Sequence, residues 1–204
     1  GPEFTTTSIE VQKAVPTLQH LVETDCNGGD STYERGIARH AEPVEMIELT
    51  HDDLWTIMYT SGTTGDPKGV SYSQRQLVLH TMAVAAGLGP IPGGGLNRGD
   101  VYMPITPLFH VHGWGIPYVA TMLGIKQVYP GRYEPARLLN LIADHGVTFS
   151  HCVPTILAML LAAPGSEEVD LSRWKMIIGG SALPEGLASQ ALARGVDVHA
   201  AYGM

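Results

Sequence analysis

The chain has 204 residues, 44% of them hydrophobic and 16% charged, which is enough apolar chain for a real core and argues against a disordered or low-complexity protein. A formal charge of −8 argues against a nucleic-acid binder driven by broad phosphate neutralisation, while leaving room for a nucleotide held by a local nest of amides. Cys26 and Cys152 are far apart and form no CxxC, so neither a disulfide framework nor a cysteine zinc site is expected, and a reducing cytoplasmic setting fits.

Gly1–Phe4 (GPEF) reads as a protease-site and cloning scar and carries no information about the fold. Residues 5–53 are the least regular part and are expected to be an irregular N-terminal segment of the same domain. Val11–Val22 reads as a strand or edge segment, and Glu34–His51 as a loosely patterned helix and loop. From Leu54 to the last residue the pattern sharpens into an α/β core. LWTIMYT is a β-rich run, SGTTGDPKG a loop, and VSYS a return to extended chain. Ser73 and Gln76 have capping-box spacing, so Gln74–Gly87 is predicted to be a helix stopped by glycine. Its apolar stretch Leu77–Leu88 is interrupted by His80 and Thr81 and falls short of the roughly 18 residues of a membrane span.

A breaker cluster (GPIPGGGLNRGD) precedes a short strand, VYMPIT, then a helix over Gly113–Leu123 and a strand, IKQVYP. Pro135–His145 is predicted to be a helix ending at Gly146. VTFSHCV is a strand followed by a helix over Thr155–Ala163. MIIGG is a strand, Pro184–Arg194 a helix with proline in its first turn, and VDVHAAYG a last strand. Four or five such units in succession predict a mostly parallel sheet flanked by helices. Ligands in such sheets gather at the loops leaving the carboxyl ends of the strands.

Three of those loops carry unusual chemistry. In YTSGTTGDPKGV (Tyr59–Val70) the hydroxyls of Thr60, Ser61, Thr63 and Thr64 are interleaved with Gly62 and Gly65, and Lys68 follows. Glycines let amides approach an anion, hydroxyls donate further hydrogen bonds, and the lysine adds a mobile charge, so the composition is that of a phosphate cradle. It is not a Walker A loop, because Pro67 stands where the second glycine belongs. His110 and His112, two apart, would share one face of an extended segment, but two nitrogens without a third ligand make a weak metal site, and no metal is expected there. No Ser-His-Asp or Cys-His arrangement stands out.

YTSGTTGDPKGV resembles the phosphate-binding loop of the adenylate-forming, AMP-binding superfamily, which includes acyl-CoA synthetases, adenylation domains and luciferases. PLFHVHGWGIPYVATMLGIKQVYPG (Pro107–Gly131) and HGVTFSHCVPTIL (His145–Leu157) resemble acyl-pocket segments of long- and medium-chain fatty acid–CoA ligases, and GGSALP (Gly179–Pro184) and AYGM (Ala201–Met204) resemble segments beside the adenine and acyl group. The resemblance implies a ligase that converts a fatty acid and ATP to acyl-adenylate and pyrophosphate, then passes the acyl group to CoA. It further implies that Thr60, Ser61, Gly62, Thr63, Thr64, Gly65 and Lys68 wrap the β- and γ-phosphates, with Thr63 and Lys68 acting in catalysis. His110 and His112 would lie beside the reacting carboxylate and Trp114 would gate the acyl tunnel. Gly179, Gly180, Ser181 and Ala182 would line the adenine and acyl pocket, and Tyr202, followed by Gly203, would stack on adenine. In the family a threonine and a Mg²⁺-associated glutamate follow the AYGM segment. The chain stops at Met204, before that glutamate, so it is expected to be a central piece of a larger domain, inactive or nearly so alone, and prone to self-association. A carrier-protein adenylation domain, a luciferase-like enzyme and a non-catalytic nucleotide-binding module are the alternatives.

Overall fold

The computed structural model describes residues 4–24, 31–40, 42–43, 45–60, 65–93 and 95–203. Two compact units are present, residues 1–48 and 49–204. The first holds helices α1 (Thr5–Ala14) and α2 (Thr32–Arg39). The strand expected over Val11–Val22 is not there: its first part completes α1 and the rest is irregular. Helix α2 begins where the Ser31 side chain accepts from the Glu34 amide, with Glu34 itself in the positive first turn.

In the second unit, β1 (Leu54–Thr60) pairs antiparallel with β2 (Lys68–Ser73), the pairs running from Leu54 with Ser73 to Thr60 with Lys68. These strands form a separate hairpin rather than the first unit of the parallel sheet, which is a correction to the repeating pattern read from the sequence. The turn out of β2 goes as expected. Ser73 accepts from the Gln76 amide, Gln76 reaches back to the Ser73 amide at 2.8 Å, and α3 (Gln74–Leu88) follows.

Five strands form the main sheet: β3 (Val101–Pro104), β4 (Lys126–Gln127), β5 (Phe149–Cys152), β6 (Lys175–Ile178) and β7 (Asp197–Ala200). All pairs are parallel, in the order β4-β3-β5-β6-β7. The chain leaves β3 toward β4 on one side and leaves β5 toward β6 on the other, so the direction of winding reverses between β3 and β5. The connections are α4 (Val111–Trp114) with α5 (Ile116–Leu123), then α6 (Pro135–His145), α7 (Pro154–Leu161) and α8 (Glu185–Ala193). Prolines stand in the first turn of α5, α6 and α7, where the missing amide costs nothing. Pro184, by contrast, caps α8 from just outside. Gly146 ends α6 at φ 62°, a left-handed position that suits glycine.

Alternate residues of the strands feed two apolar layers. Tyr102, Phe149 and Ile177 face Ile116, Val119 and Ala120 of α5, with Val84, Ala85 and Leu88 of α3 packed outside. Met103, Cys152, Met176 and Ile178 face Leu138, Leu139 and Ile142 of α6 and Leu157 and Leu160 of α7. A sheet covered on both faces buries successive positions of its inner strands, the polar Ser150 and His151 of β5 included, which is why β3, β5 and β6 show no alternation of buried and exposed residues. Among the described residues no helix is long and apolar enough to cross a membrane.

Cys152 is fully buried against Met176, and burial pushes its thiol up to about 12. A thiol so rarely ionised is a poor nucleophile. Iodoacetamide at pH 8 is therefore expected to leave Cys152 unmodified in the native protein and to label it after unfolding in urea. Peptide mass mapping reads the result, and labelling of native Cys152 would overturn it.

Candidate active site

Because the strands are parallel, the segments after β3, β5, β6 and β7 all emerge at one edge, beside the reversal between β3 and β5. The segment after β3 has the most unusual backbone. Val111, His112, Gly113, Trp114 and Gly115 all have positive φ, from 49° to 73°. The helix predicted over Gly113–Leu123 is thus a single left-handed turn, α4, followed by right-handed α5. L-residues disfavour that hand, so surrounding contacts must hold it. One is His80 on α3, whose Nε2 donates to the Trp114 carbonyl at 3.4 Å. A Cβ at Gly115 would collide with the same imidazole.

The left-handed turn sends His112 and Trp114 to different neighbours. The half-buried His112 ring has Nε2 3.3 Å from the Thr56 hydroxyl and Nδ1 3.4 Å from the Tyr118 hydroxyl, with the Trp55 ring 4.8 Å away. Trp55 also meets Tyr118 edge-on at 4.9 Å. The base of the β1-β2 hairpin is thereby joined to the segment after β3. A cleft of about 270 Å³ opens between hairpin, α3 and α4, walled by Trp55, Met58, Leu77, Val111 and Tyr118, with His80 and His112 as polar points. Partial burial, and secondarily the phenol of Tyr129, raises the Tyr118 hydroxyl above its ordinary pKa.

Trp114 lies against the sheet. Its indole is 4.8 Å from the His151 ring, and a Cβ on Gly179 would stand 2.9 Å from its outer edge. Gly179 is therefore a glycine by necessity of close approach. His151, at the end of β5, is fully buried, with Nε2 2.7 Å from the Tyr102 hydroxyl and Nδ1 3.0 Å from the Thr106 hydroxyl. One nitrogen donates and the other accepts, since burial holds the imidazole neutral with a pKa lowered to about 3. The same burial pushes the Tyr102 phenol far upward.

The expected site residues are brought together unevenly. Trp114 meets Gly179, and His112 meets the hairpin base. Lys68 and Gly65 are exposed, and Thr60 pairs with Lys68 at the end of the ladder. Ser61, Gly62, Thr63 and Thr64 lie outside the described residues. His110 is exposed just before the left-handed turn, and that turn removes the extended geometry on which a shared face with His112 depended. Gly180, Ser181, Ala182 and Gly203 are exposed at the same edge, and Tyr202 is 88% exposed. Among the described residues no three His, Cys, Asp or Glu side chains gather to hold a metal. His151, His80 and Trp55 are the residues that motif reading passed over. His151 sits in a strand buried at every position, where no alternation marks one side chain as special.

Comparison with known proteins agrees with this architecture. The family model for AMP-binding enzymes matches residues 4–204. The chain is 40% identical over 200 residues to a long-chain-fatty-acid–CoA ligase of Thermus thermophilus, covering 95% of this chain and 35% of that protein. It is 40% identical over 209 residues to a medium-chain-fatty-acid–CoA ligase of Ectopseudomonas oleovorans, covering 96% of this chain and 37% of that protein. The inhibitor-bound N-terminal domain of FACL13 from Mycobacterium tuberculosis superposes with a TM-score of 0.72 at 28% identity, over 87% of this chain and 43% of that one. The chain thus spans little more than a third of the length of these curated relatives. A family model matching nearly every residue of the chain means that this chain belongs to the AMP-binding enzyme family.

Proposed function

We propose that this chain is part of an ATP-dependent acid–CoA ligase whose carboxylate substrate is a fatty acid. The observation that supports the reading is the contact of Trp55 and Thr56, at the base of the hairpin that bears Tyr59–Val70, with His112 and Tyr118, His112 lying two residues from Trp114, which meets Gly179. On this reading the hairpin assigned to phosphate and the segment assigned to the acyl group belong to one site. The fatty-acid assignment is supported by the apolar walls of the adjoining cleft and by the names of the two relatives.

The chemistry has two steps. A carboxylate oxygen attacks the α-phosphorus of ATP and the bond to the β-phosphate breaks, giving acyl-adenylate and pyrophosphate. The sulfur of CoA then attacks the acyl carbon and AMP leaves, the thiol proton passing to solvent. The first step brings two anions together, so fixed donors and positive charge must offset the repulsion. Thr60–Gly65 and Lys68 are assigned to the β- and γ-phosphates, Gly179–Ala182 with Tyr202 and Gly203 to the adenine side, and His110 and His112 to the carboxylate. Trp114 is assigned to the acyl entrance. No side chain need become covalently attached. Mg²⁺ is assigned no protein site here, for the described residues gather no group of three acidic, histidine or cysteine side chains.

The test uses the full-length enzyme that carries this chain, assayed by fatty-acid-dependent pyrophosphate–ATP exchange. Lys68→Ala is expected to lower the rate by roughly 10²–10³-fold, the usual effect of removing one preorganised donor to a transition-state anion. The 204-residue chain alone is expected to show little or no exchange. Absence of acid-dependent exchange in the unsubstituted full-length enzyme would overturn the reading, and acylation of a carrier protein in preference to CoA would move it to an adenylation domain.

A further inference from the structure

We propose that Thr56 is a positioning residue for the acid-activating step: from β1 its hydroxyl holds the Nε2 side of His112, so that the Nδ1 side is presented to the cleft. This rests on the reading above, which assigns His112 to the carboxylate and gives Thr56 no role.

The contact exists because β1 is irregular at this point. Leu54 pairs with Ser73 but Thr56 pairs with Tyr72, so Trp55 is the extra residue of a bulge. Successive side chains of a regular strand point to opposite faces, and two neighbours would not reach one group. Here both do. The Trp55 ring stands 4.8 Å from the His112 ring, and the Thr56 hydroxyl lies 3.3 Å from Nε2. From Thr56 to Thr60 the pairing with β2 is regular again, so the irregularity is confined to the place where the hairpin meets the imidazole.

The ring needs such a hold, because the His112 backbone is in the left-handed region at φ 49°. On the other side the Tyr118 hydroxyl lies 3.4 Å from Nδ1. Tyr118 and His112 line the cleft and Thr56 does not, so a ligand in the cleft meets the ring from the Nδ1 side while Thr56 holds it from behind. Both flanking groups are hydroxyls, which donate or accept as the ring requires. They orient the imidazole in either neutral tautomer and as the cation, so it keeps its place while charge shifts beside it.

Folding alone does not ask for this hydroxyl. Thr56 is half-buried between Trp55 and Ile57 in a largely apolar strand, where valine has nearly the same shape and is equally at home. Thr56→Val is therefore a variant that keeps the strand and removes the hold.

The experiment measures fatty-acid-dependent pyrophosphate–ATP exchange by the full-length enzyme, with thermal melting of each variant alongside. Thr56→Val is expected to lower kcat/KM for the acid by roughly tenfold, the scale of one hydrogen bond left unmade in a partly buried site, while KM for ATP stays within about twofold. Thr56→Ser, which keeps the hydroxyl, is expected to recover most of that loss. In a His112→Ala background Thr56→Val is expected to cost nothing further, since the group it positions is gone. If the valine variant does not fold, Thr56→Ala is read in its place. An unchanged kcat/KM for the acid, a loss that serine does not recover, a rise in KM for ATP that matches the loss on the acid, or an undiminished loss in the His112→Ala background would each overturn the proposal. An unsubstituted enzyme with no acid-dependent exchange would instead bring down the ligase reading beneath it.

Discussion

Asp100→Ala is expected to destabilise the protein by about 3–5 kcal/mol, the cost of leaving a buried partner charge uncompensated. Asp100 stands just before β3, buried with 7% exposure, and its carboxylate lies 2.7 Å from the ammonium of Lys175 at the start of β6, a side chain 12% exposed. The remaining acceptor capacity is also used. The Thr148 hydroxyl, just before β5, donates to Asp100 at 2.7 Å, and the Asn97 amide donates at 2.8 Å. Lys175 in turn donates to the Gly95 carbonyl at 2.6 Å. One carboxylate therefore ties together the starts of three adjacent strands. Removing it strands the lysine in a poorly hydrated place, whereas removing both charges avoids that penalty. Urea unfolding of Asp100→Ala, Lys175→Met and the double variant checks this, and the double variant is expected to lose clearly less than the two single losses added together. A loss of under 1 kcal/mol for Asp100→Ala would show that the pair is not buried in solution.

The second large effect is a dependence on acid. The folded pKa of His151 is lowered by burial from 6.5 to about 3. Between those values the unfolded chain binds a proton that the folded one refuses, so this residue makes stability fall as pH drops below about 6.5, and the fall ends near pH 3. No contribution is expected above pH 7, where both states are neutral. Each pH unit inside the window is worth about 1.4 kcal/mol. Unfolding free energies at pH 6.5 and 4.5 are therefore expected to differ by about 2–3 kcal/mol more in the unsubstituted protein than in His151→Phe, which has nothing to titrate there. Carboxylates add the same background to both proteins and cancel in the comparison. Equal acid losses would mean that the imidazole takes up its proton while folded.

Much of the second unit was legible because local chemistry and tertiary packing agree there. The capping box at Ser73 and Gln76, the proline-led start of α6 and the left-handed Gly146 that ends it are strong local signals, and each element stands where those signals point. Helix α1 failed for the opposite reason. Val11, Val15, Leu18, Leu21 and Val22 suggest a strand, its opening threonines are weak helix formers, and none of its residues is buried, so no packed stripe advertised the helix. The hairpin was read as two extended runs around a loop, but nothing local distinguishes strands that pair with each other from strands that join a larger sheet. Strand order is likewise a long-range property. The left-handed turn was hidden because only Gly113 and Gly115 favour positive φ, while Val111, His112 and Trp114 resist it and are carried by tertiary contacts. His151 stayed invisible because its importance lies in Tyr102, Thr106 and Trp114, all distant along the chain.

The handedness of Val111–Trp114 has an energetic corollary. A residue with a side chain held in the left-handed helical region lies roughly 1–2 kcal/mol above its relaxed state, and three such residues follow closely here. The backbone that bears the indole is consequently a wound spring, latched by the His80 imidazole on one side and by the Thr56 and Tyr118 hydroxyls on the other. The tryptophan therefore owes its place against the sheet to contacts from three other elements, α3, β1 and α5, rather than to the preference of its own backbone.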